Sequence, residues 1–204
     1  MMIGTLDARP ALERPDLLAP PVVAALEAWN GSVPRDAICV AEIDPQLADT
    51  QAFCERYGVR TDQSANCVIL AAKREGRAWY AACLVLATTR ADVNGLAKRH
   101  LGASKISFAA MDAATAASAM EYGGITPIGL PSGWPILIDE AVVTSPQTII
   151  IGSGVRRSKI ALPGAALAEL PNAVVLPSLG RSIATRRELR ARRARPIGRR
   201  SRRG

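Results

Sequence analysis

The chain holds few residues that could do side-chain chemistry. Its one histidine, His100, stands in "AKRHLG" beside Lys98 and Arg99. A Ser-His-acid triad would have to use it, yet no G-x-S-x-G precedes a helix, so His100 reads better as a residue near a helix C-terminus. Cys39, Cys54, Cys67 and Cys83 are scattered in apolar contexts such as "AICVA" and "YAACLVL". They read as reduced, buried thiols and offer no metal-ligand spacing. "GSGV", Gly152 to Val155, is too short for a G-x-G-x-x-G fingerprint, and no P-loop occurs. What remains is backbone. The run "GGITPIGLP" places Gly123, Gly124, Gly129, Pro127 and Pro131 within one loop. Such a loop bends sharply and admits a ligand close to its main chain. Successive N–H groups there can hold a carbonyl oxygen or an oxyanion. That suits attack on an activated ester, for which positioning can replace a strong general base.

The elements that must position this loop follow from pattern. "PPVVAALEAWNG" reads as a short helix opened by Pro and closed by Asn-Gly. "AICVAEI" is a strand, and Asp44, Pro45 and Gly58 bracket a predicted helix from Pro45 to Tyr57. "NCVILAAK" and "AWYAACLVLAT", joined by "REGR", predict a hairpin. "RADVNGLAKRHLGA" predicts a helix, "SKISFA" a strand and "MDAATAASAMEY" a second helix leading into the glycine loop. "WPILIDEAVV", "QTIIIGSG", "SKIALP" and "NAVVLP" read as strands, with "GAALAEL" a short helix between the last two. Asp139 reads either as a site acid at a strand end or as the N-cap of "EAVV". Trp134 reads as packing, with stacking on a base as its alternative. The expectation is a single mixed α/β (α+β) domain with a mostly antiparallel sheet and surrounding helices.

Composition sets the boundaries. Of 204 residues, 49% are hydrophobic, 22% charged and only 4% aromatic, which describes a globular chain with an aliphatic core. No run approaches the ~18 apolar residues of a membrane span, and the N-terminus lacks a signal-peptide pattern, so a cytoplasmic protein is expected. The net charge of +8 is concentrated at one end. Arginines 181, 186, 187, 190, 192, 193, 195, 199, 200, 202 and 203 face Glu188 alone, and subtracting them leaves 15 basic against 17 acidic residues, about −2, before Arg181. A tail of this kind, with Arg186, Arg187, Arg192 and Arg193 as representative contacts, can hold nucleic acid through phosphates; a solvated extension is the alternative. The expected division is a Pro-rich N-terminal extension over residues 1–21, a domain over 22–180 and an Arg-rich, disordered tail over 181–204.

"GGITPIG", "WPILIDEAVV" and "TIIIGSGVRRSKIAL", in that order, together resemble the YbaK-type aminoacyl-tRNA deacylases, the family that includes the editing domain of bacterial prolyl-tRNA synthetases. The resemblance extends upstream through "ADVNGLAKRHLGASKISFA", "AWYAACLVLAT" and "SANCVILAAK", from about Val22 to Leu176. It implies an editing domain of that fold that hydrolyses mischarged tRNA, tRNA for proline being the first expectation, with no cofactor or metal. The implied partners are the aminoacylated acceptor end of tRNA and, secondarily, prolyl-tRNA synthetase. The implied pocket comprises Gly123 and Gly124, whose backbone would polarise the carbonyl, with Ile125, Thr126, Pro127, Asp139, Gly152, Ser153 and Gly154. Where the family has a lysine, this chain has Asn66, which offers a donor and an acceptor but no cation. Lys73 and Lys105 are the substitutes considered for that charge. Asn66 is assigned to orient the substrate, and Arg156, Arg157 and Lys159 to meet the acceptor stem. The alternative is a catalytically silent binding protein that kept the pocket.

Overall fold

The computed structural model describes residues 1–183. Its backbone is the predicted hairpin. β5 (Ala65–Arg74) and β6 (Arg77–Leu86) pair antiparallel along their whole length, from Ala65 opposite Leu86 to Arg74 opposite Arg77. The turn between them is Glu75 and Gly76, both with positive φ (49° and 79°), which is the two-residue geometry whose twist matches that of the strands. β8 (Lys105–Phe108) lies antiparallel to β5, while β9 (Ile136–Asp139) and β12 (Ala173–Leu176) add in parallel beyond β6. A second, antiparallel sheet has the order β10 (Thr148–Gly152), β11 (Ser158–Pro163), β4 (Cys39–Glu42) and β3 (Arg9–Pro10).

The sheets share one buried aliphatic cluster, to which the five-stranded sheet contributes Ile69, Leu84 and Ile138 and the four-stranded sheet Val40, Ile151 and Ile160. On the other side of the four-stranded sheet, Ala41 and Ala161 pack with Phe53 and Cys54 of α2 (Thr50–Tyr57). On the other side of the five-stranded sheet, Leu70, Cys83 and Leu137 pack with Val93, Ala97 and Leu179. This alternation of faces is the period-two rule of strands acting twice.

The departures from expectation are local and physical. The predicted helix from Pro45 to Tyr57 is two pieces: a 3-10 turn, Pro45–Leu47, with Asp44 accepting from Gln46 N, and α2. Asp49 causes the break, because its carboxylate caps α2 by accepting from Gln51 N at 3.1 Å. The segment "TRADVNG" is strand before it is helix. Thr89–Ala91 (β7) pairs with Gly180–Ser182 (β13), and the helical part starts as a π-turn, Val93–Ala97, followed by Lys98–His100. "WPILIDEAVV" stops being strand at Asp139, which takes the N-cap position of a one-turn helix, Glu140–Val143. The Pro-rich N-terminal segment is short strands, β1 (Met2–Ile3) and β2 (Leu6–Asp7) before β3, and 3-10 turns leading into α1 (Pro20–Glu27), yet Ala11, Leu17 and Leu18 are buried in the main cluster. Pro10 is tolerated because β3 is an edge strand. Arg186, Arg187, Arg192 and Arg193 lie outside the described residues.

Candidate active site

The two sheets meet at the start of β5. Ser64 bridges to Ile150, and Ile150 N donates to Gln63 O at 2.7 Å. Beside this junction opens a cavity of about 470 Å³, within the range of small-molecule sites. Asn66 and Val68 of β5 form one wall, Gly123 and Ile125 of the glycine loop another, and Gly152, Arg156 and Lys159 of the β10–β11 hairpin a third. The start of α2, with Ala48, Asp49 and Thr50, closes the remaining side.

The loop's conformation explains its glycines. Gly123 has φ of +80°, and a Cβ there would overlap Nη1 of Arg156, so only glycine fits without displacing the arginine. A Cβ on Gly152 would run into the carbonyl of Gly124, which is why strand and loop can touch. The loop is tied down by Gly154 N donating to Gly124 O (2.7 Å) and Gly124 N donating to Glu121 O (3.0 Å). The amide of Gly124 is therefore committed to the turn, and the N–H groups of Gly123 and Ile125 have no backbone acceptor among the described residues. Arg156 is a strut. Its Nε donates to Pro45 O (2.8 Å), its Nη1 to Tyr122 O (3.3 Å), and its own N–H to the Glu121 carboxylate (2.6 Å).

Asn66 is half-buried, and its Oδ1 accepts from Thr50 Oγ1 at 2.7 Å. That bond orients the amide and leaves its N–H₂ donors for a ligand. Lys159 is only 9% exposed. Its Nζ donates to Ala48 O (3.1 Å) and lies 5.5 Å from the centre of the Phe53 ring. Burial, reinforced by the nearby Arg156 charge, lowers its pKa from 10.5 to about 8. Cys67 also lines the cavity, but burial pushes its thiol well up, so it is no thiolate nucleophile at neutral pH.

Not every residue assigned from sequence comes to this cavity. Thr126 and Pro127 are buried behind the loop, and Thr126 Oγ1 has no hydrogen-bond partner among the described residues. Ser153 is buried with its Oγ 2.7 Å from Ser158 Oγ, and a Cβ on Gly154 would strike Ala19; both hold the hairpin to the N-terminal segment. Asp139 is 3% exposed and lies level with Asn66 but two strands across the sheet, outside the cavity, where its Oδ2 faces Gly180; burial raises its pKa. Arg157 is exposed and donates to Asp16 O. Lys73 and Lys105 are cross-strand partners seven residues along β5 from Asn66, about 23 Å away at strand rise, and line a different cleft. Trp134 is packed on Tyr80 at 4.9 Å, and His100 is exposed on its short helix. The roles of Thr50, Asp49 and Lys159 in the wall were not read from sequence. The signal for Lys159 was a lysine in the middle of an apolar alternation, "SKIAL", where a surface hairpin would put it outside.

The match of a family model decides the identity of the fold. Residues 44–170, more than half of the chain and including every wall residue named above, match the aminoacyl-tRNA editing domain. The chain belongs to that family. Among solved structures, this editing domain is similar to a candidate trans-editing enzyme for prolyl tRNA synthetase, with 21% identity, a TM-score of 0.64, and coverage of 78% of this chain and 94% of that one. It is equally similar to a scaffold protein used in computational epitope backbone grafting (22% identity, TM-score 0.64, 78% and 95% coverage). A hypothetical protein follows at 16% identity and TM-score 0.61, with 71% and 91% coverage. No curated protein matches the sequence. These likenesses concern the fold, and no helix among the described residues is long and apolar enough to cross a membrane.

Proposed function

We propose that this editing domain is a deacylase acting in trans on mischarged tRNA, with tRNA for proline the first substrate to test. The observation that carries the reading is the convergence of Asn66, Gly123, Ile125 and Gly152 on one cavity. In this reading the amino acid's side chain lies against Ala65, Val68 and Ile125, and the terminal adenosine reaches the rim at Tyr122, which is exposed. The Asn66 amide, held by Thr50, donates to the aminoacyl group. The N–H groups of Gly123 and Ile125 face the ester carbonyl.

Hydrolysis then needs no nucleophilic side chain. A water oxygen attacks the carbonyl carbon, and the carbonyl electron pair moves onto oxygen. Collapse of that oxyanion breaks the bond to the ribose oxygen, which takes a proton from the attacking water. The products are the free amino acid and tRNA with its terminal hydroxyl restored. The chemistry is within reach of positioning and hydrogen bonding because the ester is activated.

A silent binding protein is the second reading, favoured by the engagement of Asn66 Oδ1 with Thr50 where the family has a lysine. Incubation with a panel of mischarged tRNAs, alanyl- and cysteinyl-tRNA for proline among them, separates the two. Release of free amino acid above the spontaneous rate supports the deacylase, and binding without release supports the second reading.

A further inference from the structure

β11 runs between β10 and β4, and Lys159 near its start reaches the site. Ile160 and Leu162 point into the main core, and Lys159 and Ala161 point the other way, toward α2. A lysine on that second face is surrounded by Phe53, Cys54 and the chain leading into α2. Its surroundings do not neutralise it. Among the described residues no carboxylate comes within salt-bridge distance of Nζ. Two acidic groups act on it: the Cys54 thiol, whose pKa burial raises, and Asp49, which is engaged in capping α2. The other charge felt there is Arg156, of the same sign. The ammonium has three donors, and Ala48 O takes one. It stands at the positive end of α2, the wrong end for a cation. A methionine would fill the same space without these penalties, so packing does not explain the charge.

The remaining direction open to Nζ is the cavity, which Lys159 lines together with Asn66, Gly123 and Gly152. We propose that Lys159 is a catalytic group of this site, its ammonium donating to the ester carbonyl oxygen and stabilising the negative charge that develops there when water attacks. This rests on the deacylase reading. The proton stays on Nζ throughout, since the leaving ribose oxygen takes its proton from the attacking water. A cation in a poorly solvated wall acts more strongly on a developing charge than one in water, and the gain is larger for the oxyanion than for the neutral ester. A pKa of about 8 means that the charge is present at neutral pH and lost in mild alkali.

The test uses the full chain as wild type, Lys159→Met and Lys159→Arg, each first compared by circular dichroism. Two measurements are made. One is the pH dependence of kcat and KM on the best mischarged tRNA, corrected for spontaneous hydrolysis. The other is the binding of an adenosine 3′-aminophosphonate ester, an uncleavable anion shaped like the tetrahedral intermediate, at pH 6.5 and 9.5. Lys159→Met is expected to lower kcat at least tenfold with KM within twofold, and to abolish the fall in rate above pH 8. Lys159→Arg is expected to retain activity and carry that fall to higher pH. Wild type should bind the phosphonate at least tenfold more tightly at pH 6.5 than at 9.5, and Lys159→Met weakly at both. Equal phosphonate binding by wild type and Lys159→Met, or an unchanged kcat, overturns the assignment. If wild type cleaves no ester yet shows the lysine-dependent binding, the deacylase reading falls and the anion contact stands.

Discussion

Thr50 and Asn66 form a unit in which the hydroxyl fixes which face of the amide meets a ligand. Asn66→Ala is expected to lower kcat/KM at least tenfold, equivalent to about 1.4 kcal/mol. Thr50→Val, which frees the amide without removing it, should cost less, about threefold, in the same assay. Asn66→Ala activity equal to wild type would assign the residue to structure. Lys159 makes a prediction about stability. Its folded pKa of about 8 lies below its ordinary 10.5, so the folded state releases the proton first. Between those values the unfolded chain binds more protons, and stability rises with pH. Below pH 8 the buried charge costs the fold about 3 kcal/mol at most. Lys159→Met should therefore be more stable than wild type in urea titrations at pH 7, and the difference should shrink toward pH 10.5. A destabilised Lys159→Met at pH 7 would contradict the burial argument.

At the scale of elements, the β5–β6 hairpin, β4, β8 to β12 and the helix before the glycine loop, Met111–Ser118 in the structure, were legible, because apolar alternation and Gly or Pro punctuation agreed. The break before α2 was not. Asp44-Pro45 and Asp49-Thr50 are both good helix starts, and the packing of Phe53 and Cys54 on the four-stranded sheet, added to the Asp49 cap, selects the second. β7 and β13 are three residues each and exist only through their mutual pairing, which no local pattern announces. The glycine loop was legible as a backbone site, whereas the division of labour within it was not. Gly124 looked equivalent to Gly123, but its amide is bonded to Glu121, and a Cβ would lie 2.5 Å from the Val155 carbonyl group. Gly124→Val should thus lower the melting temperature by several degrees, a loss of about 2 kcal/mol or more. Gly123→Ala meets the side chain of Arg156 rather than backbone and adds the strain of φ +80°, about 1 kcal/mol, so it should keep more of the stability while weakening activity. Thermal unfolding of the two variants side by side checks the distinction.

The whole molecule combines a near-neutral folded part with a basic end. Residues before Arg181 carry about −2 by the charge count above, so a steep salt dependence of tRNA affinity has to come from the arginines that follow. Because β13 runs through Ser182, a cut after Ile183 removes ten of those arginines and leaves the pairing with β7 intact. That truncation should weaken tRNA binding and flatten its slope against log salt, while cleavage of a minimal aminoacyl-adenosine ester is unchanged. An unaltered slope would shift the acceptor-stem contact to the folded domain, where Arg157 is exposed. The claim on which the rest depends is that the cavity between the two sheets cleaves an aminoacyl ester. Its most direct measurement is the release of amino acid from a panel of mischarged tRNAs by the full chain at pH 7, beside correctly charged prolyl-tRNA as control. At least one mischarged species is expected to be cleaved well above its spontaneous rate, with prolyl-tRNA spared and the rate reduced at least tenfold in Asn66→Ala. Spontaneous rates throughout the panel, or cleavage indifferent to that substitution, would contradict the claim.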